Sequence, residues 1–219
     1  MSRRVGVFEV VPQLFDVALE SYEALRNHEP PERPALVPGL TVIVFAAASL
    51  EALVSEIAEH VLQLLEEMPD LPHAELTAFV DAVRQIERSR RSTRQKFLQA
   101  GEIFGRPYDR RAQPYSDYSL LTSVRDSILH LTPTTLLVDE RGRSRISDQG
   151  VLRELQSRGL IALIPYGVAT TLLIEVSRPK VGRWAINTAA VMAQSFLALF
   201  PDEVQANIFS YHDAFRTVE

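Results

Sequence analysis

The chain has 219 residues, enough for one domain, and its 46% hydrophobic residues and net charge of −5 are ordinary for a globular protein. This composition argues against intrinsic disorder and against a uniformly basic nucleic-acid binder, although clustered charges act locally whatever the net charge is. No cysteine is present, which excludes disulfides, thiol nucleophiles and thiolate metal sites and fits a cytoplasmic location.

The first half of the chain predicts three helices. Apolar residues at spacings of three and four indicate an amphipathic helix over residues 12–29. After a proline-rich break that starts at Pro30 and ends with Pro38-Gly39, a long helix over 40–68 is apolar on more than half of its circumference, as is typical of a central helix. The longest apolar stretch, 40–50, is far shorter than the roughly 20 residues of a membrane span, so no membrane partner is expected. A third helix is predicted over 73–104.

The second half begins with a polar loop at 105–114 and a fourth helix over 116–131. Residues 134–176 have a different pattern, in which turn-rich sequence separates short apolar runs. A small β-hairpin is expected first. It is followed by a short helix over 148–158 and by two short strands or extended segments at 160–164 and 171–176.

Two further helices close the chain, one over 179–199 and a tail helix over about 202–215. The expected fold is all-α, an up-and-down helical bundle with a small irregular or β-hairpin insertion at about 134–176. We expect one domain over residues 1–219, with its core at about 12–200.

The candidate chemistry lies in the predicted fourth helix. Arg125 and His130 form the only pair in the chain in which four residues separate an arginine from a following histidine. At about 100° per residue the two lie about 140° apart, on either side of a face that contains Thr122, Asp126 and Leu129. The opposite face is apolar and is expected to pack in the core.

This geometry suggests how the residues act. Asp126 precedes His130 by four residues, so its carboxylate is expected to orient the imidazole. One helix places Arg125 and His130 too far apart to grip a single phosphate. We therefore expect a homodimer, in which two copies of helix 116–131 pack across a two-fold axis and form a composite site.

These residues resemble the motif of the HEPN family, which is an arginine, a polar residue (usually Asn or Asp), three further residues and a histidine, late in a helix of an all-α bundle. Arg125, Asp126 and His130 match it in order and spacing. Residues 45–53 resemble the alanine-rich first core helix of the family, which often carries an acidic residue, and 183–192 resemble the closing helix of many bacterial members.

The resemblance covers about residues 12–200 and implies a metal-independent endoribonuclease that acts as a dimer without a cofactor, as a toxin or defence effector with a possible cognate antitoxin. It implies that His130 moves a proton while the ribose 2′-OH attacks the adjacent phosphate, and that Arg125 stabilises charge on the phosphoryl oxygens. Both roles suit the side chains, because histidine titrates near neutrality and a guanidinium favours the more highly charged transition state.

The chain departs from some relatives in one respect. Members that are paired with a nucleotidyltransferase antitoxin carry a tyrosine two residues after the histidine, where it is nucleotidylated. Thr132 occupies that position here, so inhibition by modification of a tyrosine at this point is not expected.

Other basic residues are candidates for RNA binding. A stripe on the predicted third helix, at spacings of four, three and three, would follow a phosphate backbone, and a solvated helix face is the alternative. Residues just before the fourth helix would place arginine and aromatic groups near RNA, and a polar surface loop is the alternative. These candidates are Arg84, Arg88, Arg91 and Arg94 in the stripe and Arg110, Arg111 and Tyr115 before the helix.

Two polar residues are candidates for orienting the site. Glu51 lies within the apolar second helix and either orients Arg125 or pairs with an arginine elsewhere, while Thr122 lies one turn before Arg125. Three alternatives to catalysis stay open. In the first, Arg125 is an ordinary surface arginine and His130 a histidine favoured by the helix dipole. In the second, the chain is a non-catalytic HEPN module that binds RNA, nucleotide or a protein partner. In the third, it is a structural helical subunit.

Overall fold

The structure is a computed structural model of the chain. It describes most of the sequence, namely residues 10–29, 34–68, 74–130, 136–138, 144–146, 150–162 and 171–219. The position of Thr132, the start of the short helix predicted over 148–158 and the end of the segment predicted at 160–164 lie outside the described residues.

Helices dominate the described part of the chain, which confirms the prediction of an all-α bundle. In chain order they are α1 Val11–Arg26, α2 Leu36–Glu67, α3 Ala74–Arg88, α4 Thr93–Ile103, α5 Tyr115–Leu129, α6 Gly150–Ser157, α7 Leu172–Val176, α8 Pro179–Leu197, α9 Asp202–Gln205 and α10 Phe209–Ala214. Between α5 and α6, strands β1 Leu136–Val138 and β2 Ser144–Ile146 pair antiparallel with Leu136 opposite Ile146, as the predicted hairpin requires.

The centre of the bundle is α2, a helix of 32 residues that packs against α1, α3, α4, α5, α7 and α8. By length and composition it meets the requirements of a membrane-spanning helix, and half of its most apolar 18-residue window is buried inside the protein. Core helices of soluble proteins have the same properties, so this feature is compatible with a soluble protein. A cytoplasmic location stays a prediction.

The start of α2 differs from the prediction, because the helix begins before Pro38-Gly39. Pro38 lies in the first turn, where backbone N–H groups have no partner within the helix, so its missing N–H costs nothing. The first helical hydrogen bond then runs from the Gly39 N–H to the Ala35 carbonyl at 3.0 Å.

The single helix predicted over 73–104 is wrong, because two helices, α3 and α4, occupy this range. Arg90 has a φ of 53°, in the left-handed region, and this ends α3. The N–H of Arg91 then bonds to the Ile86 carbonyl at 3.1 Å, and Ser92 precedes α4 in an extended conformation. The chain therefore turns between Arg88 and Thr93, and residues on the two sides do not share one helix face.

Three other predictions need correction. Residues 171–176 are not a strand; Thr171 caps α7, with its side-chain oxygen accepting from the Ile174 N–H at 3.4 Å. Residues 160–162 are not in a strand either. The tail predicted as one helix over 202–215 forms the two short helices α9 and α10, with a turn at 206–208 between them.

An aromatic cluster determines how α5 lies in the bundle. Tyr118 of α5 contacts Phe97 of α4 at a ring-centroid distance of 4.9 Å, and Phe97 contacts Phe196 of α8 at 5.1 Å. Phe79 of α3 lies 6.1 Å from Phe196 and 5.2 Å from Phe200. Such tilted and edge-on contacts between buried rings add to the energy of their burial. The cluster holds α5 by its buried side and leaves its polar side available for function.

We expect Gly39→Ala to destabilise the fold, because a Cβ there would lie 2.6 Å from the backbone Cα of buried Ser177. Crowding of this kind costs about 1–3 kcal/mol, more than the helix propensity that alanine contributes. Urea unfolding followed by circular dichroism measures the free energy of unfolding. Gly150→Ala is the matched control, because a Cβ at that helical position meets open space. Equal stability of the parent and Gly39→Ala proteins would contradict this packing.

Candidate functional site

Helix α5 presents one side to the core and the other to solvent. Leu120, Leu121, Val124 and Ile128 are buried, as the predicted apolar face requires. Arg125 and Asp126 are half-buried, and His130, the residue that follows the helix, is exposed. The candidate residues therefore lie on the border and outer face of one helix.

Arg125 is anchored to the central helix. Its Nη2 donates to Glu51 Oε1 on α2, and its Nε lies 3.1 Å from Asp126 Oδ1. Glu51 thus pairs with Arg125 itself and not with an arginine elsewhere, which is the first of the two alternatives that the sequence left open. The Arg125 side chain is 19% exposed, and its Nη1 makes no hydrogen bond or ion pair to the described residues. One edge of the guanidinium therefore has donors for an external anion.

Asp126 does not orient His130, contrary to the prediction. Its carboxylate lies against two guanidinium groups, with Oδ1 at 3.1 Å from Arg125 Nε and Oδ2 at 3.8 Å from Arg94 Nη2. Within the described ranges, no hydrogen bond or ion pair joins this carboxylate to the His130 imidazole. Two permanent positive charges attract the carboxylate more strongly than an imidazole at the end of the helix does.

His130 ends α5. Its backbone N–H donates to the Asp126 carbonyl at 2.9 Å, and its φ of −111° and ψ of 44° take the chain out of the helix. The side chain is exposed, so a substrate in solvent can reach it. Arg125 is directed to α2 and His130 lies in solvent at the helix end, and the two share no partner in the described structure.

Thr122 is also not an orienting group. It is buried, and its hydroxyl donates to the Tyr118 carbonyl of its own helix at 2.9 Å. A hydroxyl that is satisfied one turn back has no role toward Arg125 or His130. The prediction failed because Thr122, although it lies opposite the apolar face on the helical wheel, is buried in the folded protein.

Arg94 is the basic residue closest to the motif. From α4 it reaches α5, with Nη1 3.4 Å from the Ser119 hydroxyl and Nη2 3.3 Å from the Ser123 hydroxyl. With its ion pair to Asp126, it forms a polar seam between the two helices. The sequence gives little sign of this role, because Arg94 fits the spacing of the basic stripe and looks like one more of its members.

The predicted basic stripe does not form one surface. Arg84 and Arg88 belong to α3, Arg91 lies in the turn, and Arg94 belongs to α4 and points onto α5. Arg84 also pairs with Glu59 at 3.6 Å. The positive φ of Arg90 divides the pattern, so a continuous phosphate track along one helix is excluded.

Lys96 of α4 is a buried residue for which the sequence predicts only local charge near the basic stripe. Its Nζ donates to Glu87 Oε1 at 2.6 Å and to the Ser55 hydroxyl at 2.9 Å. Burial of Glu87 raises the pKa of its carboxyl, but the hydrogen bonds from Lys96 and Ser55 outweigh this effect and hold the pKa below its ordinary value. The one available signal was that Lys96 is one of only two lysines in an arginine-rich chain.

A groove of about 480 Å³ lies beside the serine face of α5. Its lining consists of Arg110, Arg111, Ser116, Ser119, Leu120, Ser123, Gly150, Val151, Glu154 and Arg158. Arg158 forms ion pairs with Asp117 and Glu154 and donates to the Ser116 carbonyl at 3.4 Å. The structure therefore brings the predicted residues Arg110 and Arg111 to the same surface as α5, together with α6.

Tyr115 is not available for stacking on a base, contrary to the prediction. It is 6% exposed, packs between the rings of Tyr108 and Tyr118, and donates from its hydroxyl to the Arg94 carbonyl at 3.4 Å. Burial raises the pKa of Tyr115, although the charges of Arg94 and Arg110 act in the opposite direction. Its proximity to α4 is a tertiary contact that local sequence does not reveal.

No group of three or more histidine, aspartate or glutamate residues is arranged to hold a metal ion in the described segments. Comparison with family models, with curated proteins and with solved structures finds no match to the chain. Membership of the HEPN family therefore stays a prediction that rests on Arg125, Asp126 and His130 and on the resemblance of the flanking helices.

The Arg125–Glu51 pair is expected to couple α5 to α2 energetically. Glu51→Ala and Arg125→Ala should each lower the free energy of unfolding, and the double variant should lose less than their sum by about 1–2 kcal/mol, because both side chains are more than two-thirds buried. Chemical unfolding of the four proteins measures this coupling. The exposed Glu23–Arg26 pair on α1 provides a control cycle with weaker coupling. Strict additivity at Glu51 and Arg125 would show that the ion pair does not exist in solution.

Proposed function

We propose that this protein is a metal-independent endoribonuclease of the HEPN type, active as a homodimer, with His130 moving the proton and Arg125 stabilising the phosphate. The observation that carries the proposal is how Arg125 is bound. Glu51 anchors it from the central helix while its Nη1 is left without a partner among the described residues, and an exposed His130 ends the same helix.

The anchoring of Arg125 suits a catalytic role. A guanidinium fixed by a carboxylate on a rigid helix loses little freedom when it meets a phosphate, which is the basis of preorganised electrostatic stabilisation. Asp126 and Glu51 offset part of its charge in the resting state. The gain is then largest when a second negative charge develops on the phosphoryl oxygens, in the transition state.

The exposed imidazole of His130 provides the proton transfer. In its neutral form a ring nitrogen accepts the proton of the ribose 2′-OH while that oxygen bonds to phosphorus. The bond from phosphorus to the 5′-oxygen breaks, and the leaving oxygen takes up a proton. The products are a 2′,3′-cyclic phosphate and a 5′-hydroxyl, and the step requires no oxidant or metal.

The separation of the two residues favours a homodimer with two copies of α5 at the interface. Arg125 faces α2 and His130 faces solvent, so a second protomer is the simplest way to complete a site that holds both groups. Leu129, between them in sequence, is 54% exposed and supplies apolar surface that such an interface would cover. A toxin of this kind would be held inactive by an antitoxin protein that covers the same face.

A second candidate function is a non-catalytic HEPN module that binds RNA, nucleotide or a protein partner. It is favoured by the pairing of Arg125 with two carboxylates and by the lack of an orienting partner for His130 among the described residues. Such a module would bind its ligand on the same face without turnover.

We expect the purified protein to cleave RNA in the presence of EDTA and to leave 2′,3′-cyclic phosphate ends. His130→Ala and Arg125→Ala should each lower the rate by about 100-fold or more, because each removes a group used in the transition state. Arg183→Ala, an exposed arginine on α8, is the control that should retain the parental rate. Cleavage products are measured by gel electrophoresis and end-group analysis, with circular dichroism to establish folding.

Two outcomes of this assay contradict catalysis at the motif. Folded Arg125→Ala and His130→Ala proteins that cleave at the parental rate would place any nuclease activity elsewhere. A parent protein that binds RNA and leaves no cyclic phosphate ends would support the non-catalytic module.

A further inference from the structure

The groove between α5 and α6 brings arginine and serine side chains together about two to three helical turns from His130. We infer that it binds the backbone of single-stranded RNA and leads the strand along α5 to His130. This inference rests on the proposed function, because that function identifies RNA as the ligand. It adds residues of α6 and the serine face of α5, which the motif does not include.

The charge of the groove is opposite to that of the whole chain. Three arginines and one glutamate line it, in a protein of net charge −5. Arg110 and Arg111 are exposed, and neither forms an ion pair with the described residues. Arg158 is oriented by Asp117 and Glu154, which hold its guanidinium at the wall of the groove. Local positive charge of this kind attracts a polyanion and gives binding that depends on salt.

The Ser119 hydroxyl supplies a directed donor on the floor of the groove. Arg94 donates to the hydroxyl oxygens of Ser119 and Ser123 from behind, and the Ser123 hydroxyl donates in turn to the Ser119 carbonyl at 3.0 Å. The Ser119 hydroxyl proton is not used by any described residue, so it can be donated into the groove. A hydroxyl whose oxygen accepts from a guanidinium is a stronger donor to a phosphate oxygen.

The same face of α5 leads from the groove to the candidate catalytic residue. At about 100° per residue, Ser119, Ser123 and His130 lie within about 40° of one another around the helix. The rise from Ser123 to His130 is about 10 Å. A strand bound in the groove by its phosphates therefore reaches His130 within a few nucleotides. Tyr115 is buried, and none of the described residues that line the groove is aromatic, which favours contact with the backbone over readout of bases.

The test measures binding of a fluorescent, single-stranded 2′-O-methyl RNA by anisotropy, because that RNA cannot be cleaved by attack of its 2′-oxygen. Two variants address the groove. The double variant Arg110→Gln/Arg111→Gln removes two exposed charges, and Gly150→Phe fills the groove from a helical position where added atoms meet open space. The matched control, Arg183→Gln/Arg216→Gln, removes two exposed charges that do not line the groove.

We expect each groove variant to weaken RNA binding by about tenfold or more, which corresponds to the loss of one or two charge-assisted contacts, while the control binds as the parent does. The double variant should also reduce the slope of log Kd against log salt by about 1.4, the value for two phosphate contacts on a single strand. Inorganic phosphate and AMP should compete only weakly, because they occupy one subsite of a longer strand.

Three results would overturn the inference. They are parental RNA affinity in both folded groove variants, an equal loss of affinity in the control, and displacement of the RNA by AMP at concentrations near the Kd of the RNA. The last would identify a nucleotide pocket. RNA binding that depends on the groove without any cleavage of unmodified RNA would refute the proposed nuclease and leave this inference intact.

Discussion

Two carboxylates on the apolar helix α2 fix neighbouring elements to it through hydrogen bonds and an ion pair. Charged groups in a bundle interior require partners, and these partners must lie at defined positions. Glu56 accepts from the Val10 N–H and from the Tyr211 hydroxyl, both at 2.9 Å, and so joins the start of α1 to α10. Glu51 binds Arg125 and so joins α5 to α2. The proposed chemistry depends on the second of these contacts.

The Glu51 contact holds Arg125 on one side of α5, about 140° around the helix from His130. With Arg125 held to α2 and His130 exposed beyond the end of α5, the chain presents an anchored cation and an exposed imidazole on different sides of a helix. Arg94 extends this arrangement by drawing Asp126 toward α4, so the carboxylate stabilises the arginines and not the histidine. The serine face next to Arg94 then continues into the arginine-lined groove. The proposed composite site and the proposed RNA path both rest on this one placement.

Local periodicity was sufficient to predict most of the helices and the apolar face of α5, because a 3.6-residue repeat reports directly on which side of a helix is buried. It failed where tertiary contacts, or the backbone conformation of a single residue, determine whether a helix continues and which side chains are buried. The positive φ of Arg90 divides a helix that looks continuous in sequence, and burial removes Thr122 and Tyr115 from the candidate site. The pairing of Glu51 with Arg125 joins residues 74 positions apart, so the sequence offered it only as one of two alternatives.

The composite site is tested most directly by combining the Arg125→Ala and His130→Ala chains in one dimer. Differently tagged Arg125→Ala and His130→Ala chains are co-expressed, the heterodimer is isolated through both tags, and its RNA cleavage is compared with that of each variant alone. If two protomers form the site, the heterodimer recovers roughly half of the parental rate, because one combination of Arg125 and His130 across the interface is intact. A heterodimer as inactive as the single variants, or a parent protein that is strictly monomeric at micromolar concentration, would contradict the composite site.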